Sequence, residues 1–198
     1  MNALATRLPD AEELLSCLRM EERVVRPNAV FPEPLVIGKY WHVTFFKELE
    51  HIEPSFCKWL LSSIARSGKM IVAAFRYDGG VFRRVIESNA DSDALSVWLR
   101  HPDEEGFHPY GARFYIYDLA DEFVACSEFD WPTIVYSRRI LTLPDYQSRR
   151  AVPIRSIEQS LIREFNPKGL VDQETAMRNV ERFRTNYESP SDRTLPTV

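Results

Sequence analysis

The chain is expected to adopt an α+β fold: a mostly antiparallel sheet of about five to six strands, with helices packed on one face or at its ends. Three observations predict this class. Strand-like runs come in neighbouring pairs joined by short turns, helical patterns fall between those pairs, and the final third turns to helical spacing alone. At 198 residues with 44% hydrophobic and 12% aromatic content, one core can bury roughly 70% of the unfolded surface without disulfide or metal support. A single domain over residues 1–188 is the expectation, with residues 189–198, polar and holding two prolines, as a flexible tail.

The first helix is predicted over residues 11–22, where Asp10 and Glu13 have the spacing of a capping box and Leu14, Leu15 and Leu18 mark one helical face. Pro27, Pro32 and Pro34 then impose an extended connector, because each lacks a donor and disfavours helix at the residue before it. β-Branched and aromatic residues from Leu35 to Phe46 read as a strand. Pro54 suits a first helical turn, and Ile52, Phe56, Trp59, Leu60 and Ile64 recur at helical spacing until Gly68.

Met70 to Tyr77 and Val81 to Glu87 flank Asp78, Gly79 and Gly80, whose glycines suit the positive φ of a tight hairpin. Ala94, Leu95, Trp98 and Leu99 form a short amphipathic helix that ends in the region of Pro102 and Gly106. A second hairpin is predicted from residues 112–119 and 123–129 around Ala120, Asp121 and Glu122, with a further strand over residues 133–137. Ser156 with Gln159 suggests a capping box before one C-terminal helix, and Asp172 precedes the Ala176, Val180, Phe183 and Tyr187 pattern of another. Pro167, Lys168 and Gly169 separate the two.

A net charge of −4 argues against a general nucleic-acid binder, which needs a surplus of basic residues on one face. Cys17, Cys57 and Cys126 are widely spaced within apolar patterns, and free thiols in a reducing compartment are the expectation. The N-terminal residues contain no apolar run of signal-peptide length, and the longest apolar run, Met70 to Phe75, is far below the ~20 residues of a membrane span. These features predict a soluble, cytoplasmic protein.

Several clusters invite a chemical reading. His101, Asp103, Glu104, Glu105 and His108 offer mixed nitrogen and oxygen donors, but their spacing matches no metal signature and suits a solvated acidic loop equally well. Cys57 and His51 lie six residues apart, which places them on different sides of a helix. Asp118, Asp121, Glu122, Glu128 and Asp130 could include an acid–base pair, yet hairpin turns are commonly acidic for solubility. Arg138, Arg139, Arg149, Arg150, Arg155 and Arg163 form a basic segment suited to phosphate, to an acidic subunit surface or to water alone. The chain has no Gly-rich phosphate loop, no Gly-x-Ser-x-Gly elbow, no His-Glu-x-x-His and no Cys-x-x-Cys pair. No catalytic residue, metal or cofactor is therefore assigned.

The most distinctive stretch runs from Asp103 to Asp130, with eight carboxylates against one arginine. Tyrosine and tryptophan nearby combine large contact area with one polar handle. The expected partner-binding face comprises Asp103, Glu104, Glu105, Tyr110, Tyr115, Tyr117, Asp121, Glu122, Glu128, Asp130 and Trp131, while Tyr136 is a further aromatic beside it. A clustered negative field steers a basic protein partner and excludes wrong ones. The leading expectation is a non-enzymatic binding protein, for example a bacterial immunity protein that blocks the cationic groove of a toxin. The alternative is a small hydrolase or transferase using carboxylates with His108 or His42 in a cleft. A structural subunit forming a homodimer through the sheet edge or C-terminal helices is a third reading.

Overall fold

The computed structural model describes residues 6–26, 28–29, 31–37, 42–48, 52–64, 68–76, 79–87, 89–100, 112–127, 132–143, 150–165 and 173–187. Their fold is α+β. By contacts the chain divides into two compact units, residues 1–27 with 36–151, and residues 28–35 with 152–198.

The first unit contains a seven-stranded antiparallel sheet: β1 (Thr6–Arg7), β2 (His42–Glu48), β3 (Lys69–Arg76), β4 (Val81–Glu87), β5 (Ala112–Asp118), β6 (Phe123–Ser127) and β7 (Pro132–Ser137). Their spatial order is β1-β4-β3-β5-β6-β7-β2. The strand beyond the predicted six is β1. At two residues it is too short to show alternation, and it pairs at the sheet edge with Val85 and Ile86. The predicted strand over residues 35–46 is found as β2, beginning at His42, while Val36 makes an isolated bridge to Val25. Residues 38–41 lie outside the described residues.

The predicted hairpins are present. β3 and β4 pair from Lys69 with Glu87 to Phe75 with Val81, and Gly79 in their turn has φ 89°. β5 and β6 pair from Tyr117 with Val124 to Phe114 with Ser127. Asp121 in that turn takes a left-handed φ of 61°, a conformation that Asp tolerates better than most residues.

Among the described residues, three helices belong to this unit: α1 (Ala11–Val24), α2 (Pro54–Ile64) and α3 (Ser92–Arg100). On one face of the sheet, Met70, Val72 and Ala74 of β3, Ile86 of β4, Phe114 and Ile116 of β5 and Ala125 of β6 form one apolar core with Phe56, Trp59 and Leu60 of α2 and Leu95 and Leu99 of α3. Phe46, Phe56 and Trp59 meet within it at ring-centroid distances of 5.3, 5.6 and 5.4 Å. The Ser96 hydroxyl donates to the Ile52 carbonyl at 2.5 Å and so ties α3 to the start of α2.

Helix α1 lies on the opposite face. Its N-terminus has the expected capping box: Glu13 N–H donates to Asp10 at 2.9 Å, and the Glu13 carboxylate accepts from Asp10 N–H at 3.0 Å. The face it turns to the sheet is not the leucine face. Glu13, Cys17, Met20, Glu21 and Val24 are buried, whereas Leu14, Leu15 and Leu18 are 38%, 56% and 41% exposed. Charge pairing explains the inversion, because the sheet beneath α1 carries cationic partners for both glutamates.

The second unit contains α4 (Ile154–Phe165) and α5 (Gln173–Tyr187). α4 begins two residues before Ser156, so Ser156 lies within the first turn and its N–H donates to the Pro153 carbonyl at 2.9 Å instead of capping the helix. Arg184 Nε donates to Glu158 at 2.7 Å and joins the two helices. The connector predicted from prolines is bound to the last turn of α5: Asn186 donates to the Pro32 carbonyl at 3.1 Å and the Tyr187 hydroxyl to the Glu33 carbonyl at 3.0 Å. The Phe31 ring lies tilted against those of Phe183 and Tyr187, at centroid distances of 5.8 and 6.0 Å. The cap at Asp172, the break over residues 167–169 and the tail over residues 189–198 lie outside the described residues.

Candidate functional site at the β5–β6 turn

Strand pairing fixes what α1 sits on. Register aligns Arg83 with Ala73 and Ala73 with Tyr115, while Val85, Ile71 and Tyr117 form the next row. Ala73 is fully buried. Its small side chain leaves the long Arg83 side chain room to rise from the sheet towards α1. There Arg83 Nε donates to Glu21 at 2.8 Å, with a second contact from Nη2, and the Tyr117 hydroxyl donates to the same carboxylate at 2.6 Å. Burial pushes the Tyr117 phenol well above its usual range and the Glu21 charge adds to the shift, so Tyr117 remains a donor.

A second anchor lies one end further along. Glu13 accepts from Arg7 at 2.6 Å and from Lys69 at 2.7 Å, and Arg7 also reaches Glu87 at 2.8 Å. Hydrogen bonding from Arg7 holds the Glu13 carboxyl far below the usual carboxylate range against the opposing effect of burial. A depressed folded pKa contributes stability above the unfolded value of ~4.3 that is lost as pH falls below it. The stability difference between wild type and Glu13→Gln is therefore expected to be about 1 kcal/mol at pH 7, where partly exposed partners screen the pair, and to shrink towards pH 3. Urea midpoints at both pH values check it, and a difference that grows on acidification contradicts this role. Asp118 acts with the opposite sign: burial raises its pKa, so its contribution is greatest at low pH and declines as pH rises through the folded value.

With α1 so placed, its C-terminal turn brings Arg23 to the β5–β6 turn. Asp118 Oδ1 accepts from the Glu122 and Phe123 N–H groups at 2.8 and 3.3 Å, which shapes the turn from within. Asp121 and Glu122 stand at its tip. Asp121 Oδ2 accepts from Arg138 at 2.8 Å and contacts Arg23 at 3.3 Å, and Glu122 lies 3.6 Å from Arg139. The other Asp121 oxygen, Oδ1, is buried and has no hydrogen-bond partner. Two arginines of the basic segment thus turn back on two of the predicted acidic residues.

Of the expected partner-binding face, the structure brings Asp121 and Glu122 together at one accessible corner. Tyr115 and Tyr117 are fully buried; Tyr115 packs edge-on against Phe75 at 5.3 Å and donates to the Arg26 carbonyl at 3.2 Å. Both side chains serve the interior, because their strand positions face the α1 side of the sheet. Tyr136, the aromatic beside the predicted face, is buried as well. Asp103, Glu104, Glu105, Tyr110, Glu128, Asp130 and Trp131 lie outside the described residues, as do His51, His101 and His108. His42 is exposed at the start of β2.

None of the three cysteines is in a disulfide, and all are buried. Burial pushes the Cys57 thiol up to about 12 and raises Cys17 as well, which is the opposite of an activated thiolate. Among the described residues, no group of three or more His, Cys, Asp or Glu side chains is placed to hold a metal ion, and no helix is long and apolar enough to cross a membrane.

Sequence reasoning missed Glu21, Arg83 and Arg23. A signal was present in α1: Glu13, Cys17, Glu21 and Val24 follow the same helical spacing as the leucines. Comparison with protein-family models, with curated proteins and with solved structures returned no match.

Proposed function

We propose that the protein is a non-enzymatic, cytoplasmic binding module that presents the acidic β5–β6 turn to a basic protein partner. An immunity protein that neutralises a cationic toxin is a concrete form of this reading. The observation that supports it is the state of Asp121, which holds the guanidiniums of Arg138 and Arg23 on one carboxylate oxygen and nothing on the other, buried one. Exposed arginine–carboxylate pairs contribute about 0–1 kcal/mol each. Arg23 and Arg139 can therefore be exchanged at little cost for the cations of an incoming partner, and their swing away would uncover part of the acidic corner.

The test is affinity capture from the source cells at low and moderate salt, using the wild-type chain beside an Asp121→Asn, Glu122→Gln variant. A basic protein recovered in stoichiometric amount by wild type, with recovery reduced by salt and by the substitutions, is the expected outcome. Equal recovery of the same protein by both chains would remove the turn from the binding face. Recovery of no stoichiometric partner from cells expressing basic candidates would count against the reading as a whole.

A further inference from the structure

We infer that the outward face of α1 is a self-association surface, on which a second copy of this chain docks its own α1 antiparallel to the first. This goes beyond the proposed partner reading and does not depend on it. Leu14, Leu15 and Leu18 are 38%, 56% and 41% exposed along one side of a well-anchored helix, because the side turned to the sheet is taken by Glu13, Cys17 and Glu21. Ala11, Leu15, Leu18 and Glu22 recur at spacings of four, three and four residues, the seam that a facing helix packs against. Leucine supplies its middle.

Charge selects the occupant and its direction. Glu12 and Arg19 are exposed, lie two turns apart on the same flank of that seam, and have no ion pair within the chain among the described residues. In an antiparallel pair related by a two-fold axis, this flank meets the same flank of the other copy. Glu12 of each copy then faces Arg19 of the other, so both pairs form at once. A parallel pair would instead set this flank against the opposite flank of the other copy, where Leu14 stands, so Glu12 and Arg19 would not meet. The antiparallel arrangement also opposes the two helix dipoles.

Size sets the strength. A helix of 14 residues is about 21 Å long at ~1.5 Å per residue. One such seam buries less than the ~800 Å² per partner of a standard stable interface. The association is accordingly weak and appears with rising concentration.

Sedimentation equilibrium of the full chain from about 10 µM to about 1 mM tests this, a range chosen for an interface below standard size. The weight-average mass is expected to rise from 23.1 kDa towards twice that value. A Leu15→Lys, Leu18→Lys variant is expected to stay monomeric. Glu12→Arg or Arg19→Glu alone should weaken association about threefold or more, and the two together should restore it to within about twofold. Circular dichroism and the thermal midpoint verify that each variant is folded, with Leu15→Ala, Leu18→Ala as the milder replacement if lysine disturbs α1. A mass that stays monomeric throughout, a dimer insensitive to the leucines, or a charge-reversed double variant no better than the singles overturns the proposal. The first of these outcomes leaves the leucine face to a partner of another kind.

Discussion

Replacing Glu21 by alanine is expected to lower the unfolding free energy by about 3–5 kcal/mol, the range for removing one member of a buried ion pair. The size of the effect comes from what remains. Arg83, whose side chain is 15% exposed, and the fully buried Tyr117 both lose their acceptor under α1, and an unpaired buried cation is far more costly than an absent pair. The same argument predicts that removing the whole cluster does less harm than removing one part. A Glu21→Met, Arg83→Met, Tyr117→Phe variant is expected to recover most of the loss, because similar volumes refill the space without stranded polar groups. Urea unfolding of the wild type, the single variant and the triple variant decides the matter. A Glu21→Ala chain within about 1 kcal/mol of wild type would mean that water replaces the carboxylate.

The second large effect is expected on the other face of the sheet. Phe56→Ala should destabilise the first unit by about 3–5 kcal/mol, since large-to-small changes lose both transfer free energy and packing around the vacated space. Phe56 is fully buried and touches the rings of both Phe46 and Trp59. It joins a strand, a helix and an aromatic reporter. The substitution should therefore also change the emission of the protein where Trp59 contributes, before any unfolding. A Phe56→Leu variant, which keeps most of the volume, should lie well below Phe56→Ala in cost. Equal unfolding midpoints for wild type and Phe56→Ala would show that this aromatic group is not part of a close-packed core.

The elements were legible where local chemistry and burial agree. Gly79 marks the β3–β4 turn, Pro54 opens α2, and the Asp10 and Glu13 pair caps α1. Each is decided within a few residues. The face of α1 was not legible, because a polar-outside rule places Glu13 and Glu21 in solvent. Their burial depends on Lys69 and Arg83, 56 and 62 residues away, and pairing over such distances has no local signature.

The binding face suffered from the same limit. Alternation in β5 correctly sets Tyr115 and Tyr117 on one side of the strand, but only the position of α1 decides whether that side meets water or protein. Charge composition pointed to Asp121 and Glu122, and it equally noted the arginines at 138 and 139. That these two groups meet is a result of β7 returning beside β6. Short-range sequence reading sees both charges and cannot see their neutralisation.

The bonds that join residues 31–33 to the last turn of α5 also set a schedule for biosynthesis. Pro32 and Glu33 offer their carbonyls to Asn186 and Tyr187, residues 154 positions later in the chain. At the ~5–20 residues per second of translation, this segment leaves the ribosome roughly 8–30 seconds before its hydrogen-bonding partners are made. The second unit therefore cannot close until these later residues are made, although its first strip is made early. During that interval Phe31 lacks the ring contacts that Phe183 and Tyr187 later supply.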